Sequence, residues 1–213
     1  LLDCSFPRLC PLCENSSDRP GRLVCWECFR RLPLHTADDA VCRRCGLAPQ
    51  GRMAGDFLCD LCRRDAPAFD QARAAAAFHG GLRSLLHAFK YRHATWLRAD
   101  LADLLQGCVA AYYEPAEIDL VVPVPLHPLK QRQRTYNQSA LLADTLARRL
   151  GLEACGDSLR RARATPSQTR LSAAARRANV RGAFEVVRPA WVRGRSVLLV
   201  DDVMTTGATL HEA

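Results

Sequence analysis

Four C-x-x-C pairs within the first 62 residues constrain this chain more than any other feature of its sequence. Two-residue spacing lets a tight turn direct two thiolates at one metal ion, and two such pairs complete a tetrahedral site. Residues 14–24 separate the first pair from the second, and residues 46–58 separate the third pair from the fourth. Both intervals are slightly shorter than the usual spacing between the two pairs of a zinc ribbon. The eight cysteines are Cys10, Cys13, Cys25, Cys28, Cys42, Cys45, Cys59 and Cys62.

We predict that residues 1–66 form two short zinc ribbons in series, each with one structural zinc ion. The first two pairs are expected to share one ion and the last two the other, because short loops close at a lower entropic cost. Gly46, directly after Cys45, provides the positive φ that such a turn requires. An iron–sulfur cluster and disulfides are the alternatives. Metal thiolates point to a reducing, cytoplasmic compartment.

The positive charge of the chain is concentrated in one segment. Lys and Arg number 30 against 22 Asp and Glu, which gives a net charge of +8. Residues 158–195 hold ten Arg and a single acid, Glu185, and so account for +9. This segment is expected to meet a polyanion, either a nucleic acid or a phosphate. No apolar run approaches the ~20 residues that cross a bilayer, so no membrane insertion is expected.

Beyond residue 66, short apolar segments alternate with segments of helical periodicity. This alternation is typical of a parallel sheet flanked by helices, and it predicts an α/β domain over residues 67–213. Gly151 is expected to end one of the helices. Strands are predicted at residues 72–78, 118–124 and 197–200, and helices at residues 81–91, 97–109 and 141–150.

The last predicted strand leads into two acids and a turn of small residues. Asp201 and Asp202 follow the strand directly, at the edge where open α/β sheets bind their ligands. Paired carboxylates suit sugar hydroxyls or a hydrated Mg²⁺, and a Thr/Gly turn offers N–H groups and hydroxyls to a phosphate. The pattern predicts a phosphosugar ligand, with a simple helix cap as the alternative. The turn consists of Thr205, Thr206, Gly207, Ala208 and Thr209.

Residues 197–209 resemble the phosphoribosyl-pyrophosphate signature of type I phosphoribosyltransferases, in which four apolar residues precede two acids and a Thr/Gly loop. The resemblance implies that Asp201 and Asp202 contact the ribose hydroxyls, that residues 205–209 bind the 5′-phosphate, and that magnesium accompanies the ligand. Hypoxanthine-type salvage enzymes carry an Asp base three residues after the second acid, where this chain has Thr205. The resemblance therefore does not extend to that type of purine salvage.

Together with the cysteine run, two further stretches resemble the ComF family over nearly the whole chain. Residues 121–138 are similar to its pyrophosphate-side stretch, and residues 163–184 are similar to its flexible loop. Thr135 stands where the family usually has Gly, which puts the backbone of that turn in question. By this resemblance, the pyrophosphate side involves Lys130, Arg132 and Arg134, and the flap involves Arg163, Thr165 and Arg170.

The resemblance implies three hypotheses about function. ComF proteins are associated with natural transformation, so the first is an accessory of DNA uptake that binds single-stranded DNA and a competence helicase. The second is an active phosphoribosyltransferase, and the third is a non-catalytic sensor of a phosphosugar. The family fold also implies a final helix and strand, so the α/β domain is expected to be truncated at residue 213.

Overall fold

The computed structural model describes residues 8–49, 57–165 and 173–213, with only the backbone at residues 173 and 174. The strands in these ranges are β1 Leu120–Pro123, β2 Glu153–Ala154, β3 Leu159–Arg161, β4 Phe184–Val186 and β5 Val197–Val200. The helices are α1 Trp26–Arg30, α2 Asp60–Arg64, α3 Gly80–Tyr91, α4 Arg98–Tyr112, α5 Pro128–Arg134, α6 Gln138–Leu150, α7 Ala173–Val180, α8 Pro189–Val192 and α9 Ala208–Glu212. Two short 3-10 turns lie at Thr95–Leu97 and Pro115–Glu117.

A parallel sheet in the order β2-β1-β5 forms the centre of the fold. Alternate residues of β1 enter two separate hydrophobic clusters, Val121 on one face and Leu120 and Val122 on the other. Burial on both faces explains why this strand is apolar without interruption. α6 packs on β1 and β2, and α4 packs on α6. The predicted α/β class, with a parallel sheet flanked by helices, is confirmed.

The structure supports most of the predicted elements and corrects one. Residues 72–78 were predicted to be a strand, but within the described residues only Ala76 forms a β-bridge there, with Leu34. Hydrogen bonds from His35 to the carbonyl of Ala75 and from Ala77 to the carbonyl of Pro33 flank this bridge. The pairing cannot extend further as a ladder because Pro33 has no N–H to donate. None of the helices in the described ranges is long and apolar enough to cross a membrane.

The first cysteine-rich stretch is part of the main core. Val24, Cys25 and Leu32 are buried in the same cluster as Phe89 of α3 and Leu97. Apolar burial of this kind contributes about 25 cal/mol for each Å² removed from water, so the cysteine-rich stretch and α3 stabilise each other. The division into two domains at residue 66 stays a prediction.

An ionic junction centred on α4 holds this stretch against the core. The carboxylate of Asp100 accepts hydrogen bonds from the backbone N–H groups of Leu23 and Val24, both at 3.1 Å. The guanidinium of Arg19 lies 3.2 Å from Asp100 and 2.5 Å from Asp103. Burial raises the pKa of Asp100, and the two backbone hydrogen bonds oppose that shift. A carboxylate that is only 2% exposed thus satisfies the backbone just before Cys25.

We expect Asp100→Ala to lower the free energy of unfolding by about 3 kcal/mol, because it leaves the N–H groups of Leu23 and Val24 without their acceptor and removes one of the two carboxylates paired with Arg19. Urea titration followed by circular dichroism measures this change. Asp144→Ala, on the exposed side of α6, is the matched control and should change the value by less than about 0.5 kcal/mol. If the two variants lowered the free energy of unfolding equally, the stabilising role of the ionic junction would be wrong.

Candidate functional site

The eight C-x-x-C cysteines form two groups of four. The first two pairs make one group and the last two pairs the other, and within each group all the Sγ atoms lie within 4.8 Å of one another. A tetrahedral zinc ion with Zn–S bonds of about 2.3 Å separates its sulfurs by about 3.8 Å. The Sγ atoms of Cys13 and Cys25 are 3.6 Å apart, and those of Cys45 and Cys59 are 3.7 Å apart. The ten described cysteines are all free thiols. Each group can therefore hold one zinc ion.

The backbone around the second group stabilises the thiolate of one of its cysteines, Cys42. Burial raises the pKa of Cys42, but hydrogen bonds from the backbone N–H groups of Cys45 and Cys59 outweigh this effect and lower the pKa to about 6. Gly46 has a φ of +68°, as its position after Cys45 predicts. A Cβ atom at Gly46 would lie 2.7 Å from the carbonyl oxygen of Ala72, so only glycine fits this turn.

A cavity of about 520 Å³ lies where β1 and β5 end. Residues of α3, α5, α6 and β3 and the loop after β5 form its wall. The cavity therefore occupies the edge at which a parallel sheet binds ligands. The predicted residues that line it are Asp201, Asp202, Thr205, Gly207, Ala208, Thr209, Lys130 and Arg134.

The two acids have different surroundings. Asp201 accepts hydrogen bonds from the hydroxyl of Ser139 at 3.0 Å and from the backbone N–H of Asp202 at 2.8 Å. Burial and the charge of Asp202 together raise the pKa of Asp201 to about 6. Asp202 forms an ion pair with Lys90 at 2.8 Å. The two acids thus differ, since the pKa of Asp201 is raised by burial and Asp202 is paired with a lysine.

The loop after the acids approaches the cavity closely through its backbone. Gly207 has a φ of +71°, and a Cβ atom there would contact the ring of Phe69 at 3.5 Å. Thr205 is exposed on the cavity side of this loop. The hydroxyl of Thr206 is buried and has no hydrogen-bond partner in the described part of the chain. The loop therefore keeps one polar atom unsatisfied, although Thr206 itself does not line the cavity.

Three of the cations that line the cavity influence one another electrostatically. Lys130 and Arg134 lie on α5, and Arg161 ends β3. Burial, together with the charges of Arg161 and Arg134, lowers the pKa of Lys130. Burial also lowers the pKa of Arg161, which is 7% exposed. The Nε atom of Arg161 has no hydrogen-bond partner among the described residues. The charge of Asp201 partly offsets the effect of burial on Arg161, and a bound anion would stabilise the whole cationic group further.

Besides Thr206, three other predicted residues do not line the cavity, and a further one lies outside the described residues. Arg132 is exposed on α5 and does not line the cavity. Arg163 donates hydrogen bonds to the backbone carbonyls of residues 179 and 181. Thr165 is buried and accepts a hydrogen bond from the guanidinium of Arg161, so it supports the wall from behind. Arg170 lies outside the described residues.

The stretch around residue 136 holds the start of α6 beside the acids. The side chain of Asn137 caps α6 by accepting a hydrogen bond from the backbone N–H of Ser139, and its amide donates to the carbonyl of Val124. Thr135 has a φ of +66°, so this turn adopts the left-handed conformation even without glycine. Its hydroxyl donates to the carbonyl of Arg134 at 2.6 Å. These contacts position Ser139 against Asp201.

Comparison with known proteins finds relatives that match most of the chain. No family model and no solved structure matches the chain. It is 32% identical over 211 residues to the DNA utilization protein YhgH of Salmonella typhi, an alignment that covers 98% of this chain and 89% of the relative. It is 32% identical over 193 residues to competence protein F of Haemophilus influenzae, with 84% of each chain covered. The chain belongs to the ComF family. Competence protein ComFC of Bacillus subtilis is 27% identical over 227 residues, with 96% of this chain and 86% of the relative covered.

Among the residues of this ComF cavity that sequence reasoning missed, three interact with the acid pair. Ser139, Lys90 and Arg161 all line it, and they come from α6, α3 and β3. A signal existed for Lys90, because it is one of only two lysines in a chain with 30 basic residues. Neither Ser139 nor Arg161 stands out in composition or spacing, so only the packing reveals their place.

Elemental analysis of the purified ComF protein should find about two zinc ions per chain, one for each cysteine group. Cys13→Ser removes a ligand from the first group and should lower the content to about one. Cys155→Ser changes a buried cysteine outside both groups and should leave two. Bound iron, or a metal-free protein, would contradict the zinc assignment.

The raised pKa of Asp201 makes stability depend on pH. The folded protein holds an extra proton between pH 3.8, the ordinary value of an aspartate, and about 6. The free energy of unfolding therefore falls as the pH rises through this interval. We expect Asp201→Asn to remove this fall and to be about 1–2 kcal/mol more stable than the wild type at pH 7 in urea titrations. Asp144→Asn should follow the wild-type profile, and the same profile for Asp201→Asn would disprove the raised pKa.

Proposed function

We propose that this ComF protein binds phosphoribosyl pyrophosphate, or a closely related phosphosugar, together with Mg²⁺, and that it assists DNA uptake in natural transformation. The observation that carries the binding proposal is that carboxylates and cations line the same cavity. A pair of carboxylates and several Lys and Arg side chains surround a volume of about 520 Å³, which is typical of small-molecule sites. A ligand with hydroxyl groups at one end and phosphates at the other matches both kinds of side chain.

Each part of such a ligand has a matching group in the cavity. Carboxylates accept hydrogen bonds from sugar hydroxyls and bind hydrated Mg²⁺, which is the role proposed for Asp201 and Asp202. Residues 205–209 are proposed to supply N–H groups and hydroxyls for the 5′-phosphate, and all of them except Thr206 line the cavity. The pyrophosphate is proposed to meet Lys130 and the cations beside it.

Electrostatics supports the same ligand. Burial and the charge of Asp202 destabilise the ionised form of Asp201, and burial beside other cations destabilises the charged form of Lys130. A bound cation relieves the first effect and a bound polyanion relieves the second. In the free protein, both the negative charge of Asp201 and the positive charge of Lys130 are therefore destabilised. A complex of phosphosugar and magnesium would stabilise both charges at once.

The same site supports two outcomes after binding. In glycosyl transfer, the bond from the sugar carbon to pyrophosphate breaks as an acceptor attacks, and Lys130, Arg134 and Arg161 stabilise the negative charge that leaves. In a sensor, the ligand is bound and released unchanged. Measuring the release of pyrophosphate separates the two, and the binding proposal holds in either case.

The proposed role in DNA uptake is supported by the names of the relatives, two of which are competence proteins and one a DNA utilization protein. Single-stranded DNA and a competence helicase are the proposed partners, in the cytoplasm. In the Arg-rich segment, residues 160, 177, 188 and 195 form exposed ion pairs with acids. Exposed pairs contribute little to stability, so phosphates of a DNA strand can displace them.

Titration calorimetry with phosphoribosyl pyrophosphate and Mg²⁺ tests the binding proposal. We expect saturable binding to the wild type, and at least tenfold weaker binding for Asp202→Asn and for the double variant with Asp201→Asn, because the hydroxyl and metal contacts are lost. Asp144→Asn, outside the cavity, should bind as the wild type does. An absence of heat from the wild type, or equal affinity of the double variant, would overturn the site.

Fluorescence anisotropy with an oligo-dT strand tests the DNA partner separately. We expect binding at low salt that weakens steeply as salt is added, as expected when Arg side chains displace counterions. If oligo-dT shows no affinity at low salt, the DNA role is wrong while the phosphosugar site is unaffected.

A further inference from the structure

One side of α3 faces the cavity and combines aromatic with cationic side chains. The opposite side packs Leu85 and Phe89 into the core. Residues 83, 87, 90 and 91 follow helical spacing, so they form a continuous row on the cavity side. The side chains of α3 and its flank that line the cavity are Phe78, Arg83, His87, Lys90 and Tyr91.

Two large aromatic side chains in this row are exposed. Phe78 is 49% exposed and Tyr91 is 58% exposed, whereas Phe89 on the core side is fully buried. The ring of His87 lies 4.9 Å from that of Tyr91. Exposed aromatic surface on a cavity wall marks a ligand contact, and a flat ring is the group that stacks best on it.

Cations accompany both aromatic positions. The guanidinium of Arg134 lies 5.2 Å from the ring centre of Tyr91 and donates a hydrogen bond to the side chain of Gln138 at 3.0 Å. Arg83 is exposed on α3 between the two rings. A ligand in which planar rings alternate with anionic groups would match this alternation of aromatic and cationic side chains.

The two rings lie at opposite ends of α3, a helix of 12 residues and therefore about 18 Å long. A single mononucleotide reaches one of them, whereas a short strand reaches both. We infer that the cavity side of α3 is a track for single-stranded nucleic acid, in which bases stack on Phe78 and Tyr91 and phosphates meet Arg83 and Arg134. This inference rests on the proposed DNA partner and adds a contact on α3 to the exposed arginines of residues 158–195.

Anisotropy titration of the full chain with oligo-dT tests the track. We expect Phe78→Ala and Tyr91→Ala each to weaken binding about tenfold, since stacking contributes about 1–3 kcal/mol per base. Tyr91→Phe retains the ring and should stay within about twofold of the wild type. Arg83→Ala should lower the slope of log affinity against log salt by about one. Trp96→Ala is the matched control, because Trp96 is 59% exposed but does not line the cavity.

The outcomes separate this inference from the proposal on which it rests. If wild-type protein binds oligo-dT but Phe78→Ala and Tyr91→Ala bind equally well, the track is wrong and the DNA role stands. A loss in Trp96→Ala as large as that in Tyr91→Ala also rejects the track. If dTMP binds as tightly as oligo-dT, the site takes a free nucleotide and the strand assignment is wrong. If oligo-dT does not bind wild-type protein, both the DNA role and the track fail.

Discussion

The parallel pairing of β1 with β5 is the constraint on which the rest of the site depends. The register sets Leu120 opposite Val197 and Pro123 opposite Val200, so both strands end at the same level. The backbone N–H of Val124 then donates to the carbonyl of Val200 at 2.9 Å, which extends the pairing by one residue. Because the two chain segments leave the sheet together, the acids after β5 and the cations of α5 enter one cavity. A shift in this register would separate them.

A second constraint, the ionic contact between α4 and the first cysteine-rich stretch, connects this stretch to the helices beside the cavity. Asp100 of α4 fixes the backbone that precedes Cys25, and α4 packs on α6, whose first turn carries Ser139. The hydroxyl of Ser139 in turn donates a hydrogen bond to the carboxylate of Asp201. The first cysteine group is thus connected to the acid pair through two packed helices. This continuity gives the cysteine-rich segment a structural role in shaping the cavity.

The parts of the fold that could be predicted are those written locally in the sequence. Two-residue cysteine spacing is a local property, and so are the apolar run of β5 and the small residues after Asp202. The failed strand at residues 72–78 had suitable apolar residues, but a strand needs a partner with free N–H groups, and its neighbour contains Pro33. Arg161 was missed for a related reason, since a buried cation looks like any other arginine until its surroundings are known.

The sequence by itself determined the grouping of the cysteines, the α/β class and the acid pair at the end of a strand, because spacing and periodicity act over a few residues. Only the tertiary structure decided which of many arginines face the acids, why Arg132 points away from them, and how α3 brings Phe78 and Tyr91 to the same cavity. These placements depend on helix packing and strand register between segments distant in the chain. Side-chain burial, and with it the raised pKa of Asp201, arises only when those segments meet.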